Sequence, residues 1–370
     1  MNELKLLIVE DDEELIKSYK RDVKSFNLTS GVKIKEVVIN DKDKAIEILE
    51  DSNIYFDAAI VDLRLDKNGL ADQIYSGNEV IRKIKNNLRF PVFVITGTPH
   101  LIDPDLTIQN SLFKIKTRGE DDNYLDQFIE IYNTGITKIL SRKGIIEQYL
   151  NNIFWNHLSA SLDIWINDKK RTPEEKQKSL LRYTLLHIQE YLEITNDSDF
   201  EDYHPAETYI TPAIKDSLFT GDIVVENKTF QKYIILTPSC DMAQKKAKDF
   251  LLVTIENCDS GIVNEKRNLL KKGKADEDVL AEAENTIKAL IDNSYSNKYH
   301  FLPAYKEIKA GLINFQKLKS VRSKDFGDNY NIVASTNSSF TKDIVARFSY
   351  YYSRQGSPDF NIDEIYQSLL

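Results

Sequence analysis

Five polar residues in the first third of the chain fall where they could act together. Glu10 and Asp11 follow the apolar run Leu6-Leu7-Ile8-Val9, and Asp62 closes Ala58-Ala59-Ile60-Val61. Thr96 closes Pro91-Val92-Phe93-Val94-Ile95, and Lys116 closes Leu112-Phe113-Lys114-Ile115. Each sits directly past a run that reads as a buried strand, and an open parallel sheet places its ligands outside the carboxyl ends of its strands. Three carboxylates, a hydroxyl and a lysine gathered there suit a hard divalent cation and a phosphoryl group. Mg²⁺ takes oxygen ligands and keeps several waters, so one or two carboxylates plus a phosphate are enough to hold it. The cation offsets the repulsion that would otherwise raise the acids' pKa values. An ionised Asp62 is then a nucleophile able to become an acyl phosphate. Phosphoryl transfer asks for positioning and charge neutralisation more than for covalent help.

The elements that must position these groups alternate. Strand patterns fall at about 4–9, 33–39, 57–62, 91–96 and 111–116, with helical patterns at about 13–26, 41–51, 77–87 and 122–135 and a weak one near 103–110. This is α/β order, made of βαβ units that give a parallel sheet covered on both faces. Asp41 before the second helical pattern reads as its N-cap.

The constellation resembles the receiver domain of bacterial response regulators, over about residues 1–135. That resemblance implies a doubly wound five-stranded sheet in the order 2-1-3-4-5. It implies Mg²⁺ (or Mn²⁺) held by Glu10, Asp11, Asp62 and the backbone carbonyl of Arg64, and Asp62 as phosphoacceptor for a sensor histidine kinase or phosphotransfer protein. Thr96 is then expected to bond a phosphoryl oxygen and to act with Phe113 as the switch pair. Lys116 is preferred over Lys114 as the cation, because receivers carry an aromatic three residues before their lysine, as Phe113 stands here. The chain also departs from the pattern. Thr117 replaces the usual proline, Leu65-Asp66 replaces Met-Pro, and a long polar loop, 66–73, precedes Ser76-Gly77. Arg64 and Thr98 flank the solvent side of a phosphoryl group.

Residues 138–195 read as a helical connector and a candidate homodimer interface. Ile145, Tyr149, Ile153, His157 and Leu158 recur at helical spacing, as do Leu181, Leu185 and Leu192. Thr172-Pro173-Glu174-Glu175 is a helix start. His157, His187, Trp155 and Trp165 are expected to be packing residues. With 1–137 as the receiver, the remaining domain is 196–370, an α+β output region.

In that region strand patterns at about 221–225, 233–237, 250–255, 311–318 and 330–335 flank a charged helical stretch at about 265–292, and a helix follows at 341–353. The pattern is faintly similar to the small SH3-like β-barrels of PemK/MazF-type toxins. Ser239-Cys240-Asp241 is its most reactive-looking motif. A thiol at a strand-to-helix turn can be activated, although a Pro-capped turn with Asp241 as N-cap and Cys240 buried is the preferred reading. Arg347 and Arg354 lie among Tyr350, Tyr351 and Tyr352, suited to phosphate, to stacking, or to closing a helix end.

A net charge of -9 argues against a broad nucleic-acid surface, and no helix-turn-helix is visible, so sequence-specific DNA binding is not expected. Two cysteines cannot build a disulfide framework. With no leader and no long apolar run, a cytoplasmic location and no membrane contact are expected. The function expected is a response-regulator-like signalling protein, of the kind found in bacterial conflict and phage-defence systems, switching a non-DNA-binding output. The alternatives are a receiver-regulated toxin-like or nuclease-like enzyme and a phosphate-sink adaptor. No catalytic motif is evident beyond the receiver's own phosphorylation and dephosphorylation.

Overall fold

The computed structural model describes residues 3–65, 76–119, 123–191, 202–354 and 360–370, and the chain divides into two compact units, 1–199 and 200–370. In the first unit β1 (Glu3–Val9), β2 (Lys33–Ile39), β3 (Ala58–Val61), β4 (Val92–Thr96) and β5 (Phe113–Thr117) form an all-parallel sheet in the order β2-β1-β3-β4-β5. The doubly wound order that the resemblance implies is therefore present. Apolar runs without alternation explain it, since β3 and β4 are buried at every residue. One face packs Leu7, Val9 and Val94 against α2 (Lys42–Glu50) and α3 (Ser76–Asn87); the other packs Leu6, Ile8 and Phe93 against α1 (Glu13–Thr29) and α4 (Tyr124–Asn133). Asp41 caps α2 by accepting from the Lys44 amide.

The weak helix expected near 103–110 is instead a pair of 3-10 turns, Pro99–Leu101 and Pro104–Leu106. Proline starts each turn, and Asp103 before the second is held extended, which interrupts any continuous helix. Buried Asn78 on α3 ties this loop down, donating to the Leu101 carbonyl and accepting from the Asp103 amide. The start of α3 is itself pressed onto the loop after β3. The Ser76 hydroxyl accepts from the Leu65 amide, and the Gly77 amide donates to the Leu63 carbonyl. A Cβ on Gly77 would lie 2.1 Å from the Asp62 carbonyl oxygen, so only glycine fits there.

Beyond α4 come α5 (Ile136–Leu140), α6 (Ile145–Ile153), a π-helical turn (Phe154–Leu158), α7 (Ser159–Ile166) and α8 (Pro173–Glu190). The helix start read at Thr172-Pro173 is a full capping box with Glu175. His157 and His187 face each other across the hairpin with ring centroids 5.0 Å apart, and Trp165 meets Tyr183. Trp155 does not pack as expected; it is exposed.

The second unit opens with β6 (Tyr209–Ile210) and builds an antiparallel sheet from it and β7 (Asp222–Glu226), β8 (Lys232–Ile235), β9 (Asp249–Asn257), β10 (Tyr299–Leu302), β11 (Gly311–Arg322) and β12 (Tyr330–Thr336). Its order is β10-β11-β9-β8-β7-β12-β6. After the short α9 (Ser239–Ala243), the helical stretch read as one piece is two helices, α10 (Gly261–Lys272) and α11 (Glu277–Ile291), broken at Gly273 with φ +57°. Then α12 (Ser338–Ser353) packs Ile344 and Phe348 on one sheet face, and α13 (Ile362–Leu369) ends the chain. No helix among the described residues is long and apolar enough to cross a membrane.

Two outcomes follow. Gly77→Val forces α3 off the acceptor loop and should cost about 1–3 kcal/mol of stability in urea unfolding, as overpacking does. Glu226 accepts from Lys319, Thr229 and Tyr330, which hold its carboxyl down at about 2. A lowered folded pKa stabilises above the unfolded value and is lost as pH falls through the folded one. The stability gap between wild type and Glu226→Gln should therefore be full at neutral pH and close between pH 4.5 and about 2.

Candidate functional site

Three backbone hydrogen bonds continue the sheet one residue beyond its strands and set the site. The Glu10 amide donates to the Ile39 carbonyl (3.1 Å), the Asp62 amide to the Val9 carbonyl (2.9 Å) and the Arg118 amide to the Thr96 carbonyl (3.1 Å). The residues that carry charge are thus anchored by main chain at the carboxyl edge. One carboxylate oxygen from each of Glu10, Asp11 and Asp62 lies within 4.8 Å of the others. Glu10 and Asp62 are 1% and 4% exposed, Asp11 is half-buried, and Thr96 is fully buried.

Glu10 Oε1 accepts from the amides of Asp11 and Asp12, both at 3.1 Å, while Asp12 caps α1 through the Glu14 and Leu15 amides. Arg118 brings a cation into the pocket. Its Nη2 sits 3.0 Å from Glu10 Oε2 and 2.8 Å from Asp62 Oδ2, bridging the two buried acids. Burial first, then the Asp62 charge, pushes the Glu10 carboxyl up to about 7, against the pull of the Asp12 amide and Arg118. Burial also raises Asp62, opposed by the neighbouring Thr96 hydroxyl and by Arg118.

Lys116, the cation expected from the sequence, stands elsewhere: its Nζ lies over the Phe93 ring at 5.3 Å, on the face shared with α1 and α4. Lys114 lies over the same ring and donates to Gln127. The reason is register. Thr96 pairs with Thr117, so β5 runs one residue further than its apolar pattern indicates, and the first residue past the strand is Arg118. A signal was present in the sequence: with threonine where receivers carry proline, position 117 keeps its N–H and need not end the strand.

The remaining expected residues are placed as follows. The Thr96 hydroxyl accepts from the Thr98 amide and meets the Thr98 hydroxyl at 3.4 Å. The Phe113 ring is buried among the α2 and α3 side chains with Lys85 above it at 4.4 Å, on the opposite face from Lys116. Arg64 is exposed one residue beyond buried Leu63. The polar loop 66–73 lies outside the described residues.

In the second unit the expected groups do not converge. Cys240 is exposed rather than buried, and Asp241 lies inside α9, whose N-cap is Pro238, so it is no cap. The Cys240 thiol meets the adjacent Asp241 carboxylate, at 3.6 Å. His204 caps a 3-10 turn and His300 bonds Asp343, so neither engages the thiol through these contacts. Arg347, inside α12, pairs with Asp343 one helical turn back and donates to the Asn293 carbonyl, while Arg354, the C-cap of α12, lies over Tyr351 at 5.2 Å.

The donor set of the first unit fits a hard divalent ion. Three carboxylates each bring one oxygen to within 4.8 Å of the others, and Asp62 Oδ1 is a buried acceptor with no hydrogen-bond partner among the described residues. Glu10, Asp11 and Asp62 are the side chains that would hold it.

No protein-family model and no curated protein matches the sequence. Solved structures similar to the chain include the N-terminal domain of a response regulator/sensory box/GGDEF protein from Carboxydothermus hydrogenoformans. It is 16% identical with TM-score 0.25, over 36% of this chain and 98% of that one. The phosphorylated cyanobacterial phytochrome response regulator RcpA is 22% identical with TM-score 0.26, over 36% and 94%. Full-length FixJ from B. japonicum is 15% identical with TM-score 0.28, over 53% and 83%. Scores this low decide nothing alone, and the fold rests on the chain's own geometry. A five-stranded parallel sheet ordered β2-β1-β3-β4-β5, with acids directly past β1 and β3, gives the N-terminal region a receiver-like fold.

Proposed function

We propose that this chain is a response-regulator-like signalling protein whose Asp62 accepts a phosphoryl group from a histidine kinase or phosphotransfer partner. The observation that carries this reading is the orphaned Oδ1 of buried Asp62 inside a three-carboxylate cluster. A buried acceptor without a donor is costly, and such atoms in native proteins call for a ligand or a reaction.

Asp62 attacks phosphorus with a carboxylate oxygen. The bond from phosphorus to the donor's imidazole nitrogen breaks, its electron pair stays on that nitrogen, and an acyl phosphate forms. A bound Mg²⁺ or Mn²⁺ supplies charge neutralisation for the carboxylates and the phosphoryl oxygens. Glu10 and Asp11 orient that charge. Arg118, already on Asp62, swings onto the phosphoryl oxygens, and the Thr96 hydroxyl donates to one of them. Phe113 and Thr96 would then pass the change to the surface around β4 and β5. The output is the remainder of the chain, with no sequence-specific DNA contact; a setting in phage defence is consistent with a divergent receiver fused to an unrelated second unit.

Arg118 favours one second reading. A guanidinium that already neutralises Glu10 and Asp62 could make the pocket permanently metal-free, leaving a receiver that signals without phosphorylation. Mn²⁺ titration by calorimetry separates the two, since the first reading requires binding that Asp62→Asn weakens.

Incubation with acetyl phosphate and Mg²⁺, followed by intact-mass and peptide spectrometry, should add one phosphoryl group at Asp62. Chelation or Asp62→Asn should abolish it; label retained in either case would sink the proposal. Arg118→Ala should slow labelling about 10²-fold, the scale of losing one preorganised charge at a developing anion. Lys116→Ala should change the rate only slightly.

A further inference from the structure

Where β6, the loop 211–221, the start of α9 and the turn from β12 into α12 meet, the second unit holds a cavity of about 520 Å³, within the size range of small-molecule sites. Its charged groups are both cations, Lys215 and Lys342, and no Asp or Glu among the described residues lines it. Neither lysine joins an ion pair among the described residues. By contrast Lys309 and Lys317, on the cavity beside α10, are matched to Asp259 and Glu256. Lys215 Nζ rests on the Phe219 ring, 4.0 Å from its centroid.

The walls hold this opening in shape. Gly221 has φ +92°, and a Cβ there would lie 2.5 Å from Thr336 Oγ1 and 2.6 Å from Thr341 Oγ1. Those two hydroxyls stand 2.6 Å apart and bond to the Gly221 and Asn337 carbonyls. Buried Asp222 fixes the loop, accepting from the Phe219 amide and the Ser335 hydroxyl. Thr220 donates its hydroxyl proton to the Thr237 carbonyl and its amide to Ser239 Oγ. The Ser239 proton can therefore turn from Thr220 Oγ1, 2.9 Å away, to a ligand.

We propose that this cavity binds a small phosphomonoester, its phosphate held by Lys215, Lys342 and the Ser239 hydroxyl and its organic part set against Ile210, Phe219 and Val345. A cleft lined by one sign of charge concentrates the opposite ion, and lysine holds phosphate as a point charge. Two ammonium groups without a counter-charge match a dianion, whereas a carboxylate would leave one of them unmatched. The apolar side chains on the same lining give the ester body a surface that inorganic phosphate would not use. The proposal is independent of phosphorylation at Asp62.

Isothermal titration calorimetry on the full chain tests it, with phenyl phosphate as the probe, constant ionic strength, and a chelator that keeps divalent ions from the Asp62 pocket. Wild type should bind a single equivalent. Inorganic phosphate, which lacks the ring, and benzoate, which lacks the second charge, should each bind about tenfold more weakly. Lys215→Ala and Lys342→Ala should each weaken phenyl phosphate about tenfold, the scale of one charge-assisted contact. Both side chains are exposed, so far-UV circular dichroism should not change. The double variant Lys309→Ala/Lys317→Ala, on the other cavity, should bind as wild type does. No saturable binding, equal affinity for inorganic phosphate or benzoate, wild-type affinity in the Lys215 and Lys342 variants, or lost binding in the Lys309/Lys317 variant overturns the proposal.

Discussion

Everything in the N-terminal unit converges on one electrostatic constraint: two carboxylates taken almost fully out of water must be neutralised. Two like charges within 4.8 Å of each other repel by about 3–4 kcal/mol at an effective dielectric near 20. Removing each from water adds a further penalty. Arg118 answers both costs, reaching Glu10 and Asp62 from the end of β5. Its bridge leaves Asp62 Oδ1 unsatisfied, so the guanidinium balances charge without completing the hydrogen bonding. A divalent ion and a phosphoryl group would complete it.

That arrangement depends on the sheet order, because only adjacent β1 and β3 set Glu10 and Asp62 side by side. It depends equally on Gly77, whose missing Cβ lets α3 press the acceptor loop into place. Asn78, one residue on, holds the loop that follows Thr96. The pocket is thus a product of strand ends, one glycine contact and one buried amide. The two prolines that break the expected fourth helix into 3-10 turns leave this scaffold intact.

The strands themselves and the polar residues at their ends, the three acids and Thr96, were legible in the sequence because buried parallel strands write themselves as unbroken apolar runs, whereas the strand order came only from the resemblance. Arg118 went unseen because β5 ends in Lys-Ile-Lys-Thr, where apolarity fades before the hydrogen bonding does. In the second unit β10 went unseen, being a four-residue edge strand paired only to β11. The break between α10 and α11 rests on one left-handed glycine inside a run of lysines, a signal that composition hides. Cys240 looked like chemistry, but the second unit brings no histidine into hydrogen-bonding range of it among the contacts described.

The account's central claim is that the buried acids take a divalent ion and a phosphoryl group on Asp62, with Arg118 as the cation that meets it. A crystal structure with Mg²⁺ and beryllofluoride tests this most directly. The account predicts beryllium bonded to Asp62, Mg²⁺ on Glu10, Asp11 and Asp62, and the Arg118 guanidinium moved from the carboxylates onto a fluoride. An Arg118 still bridging Glu10 and Asp62, with neither ion bound, would contradict it.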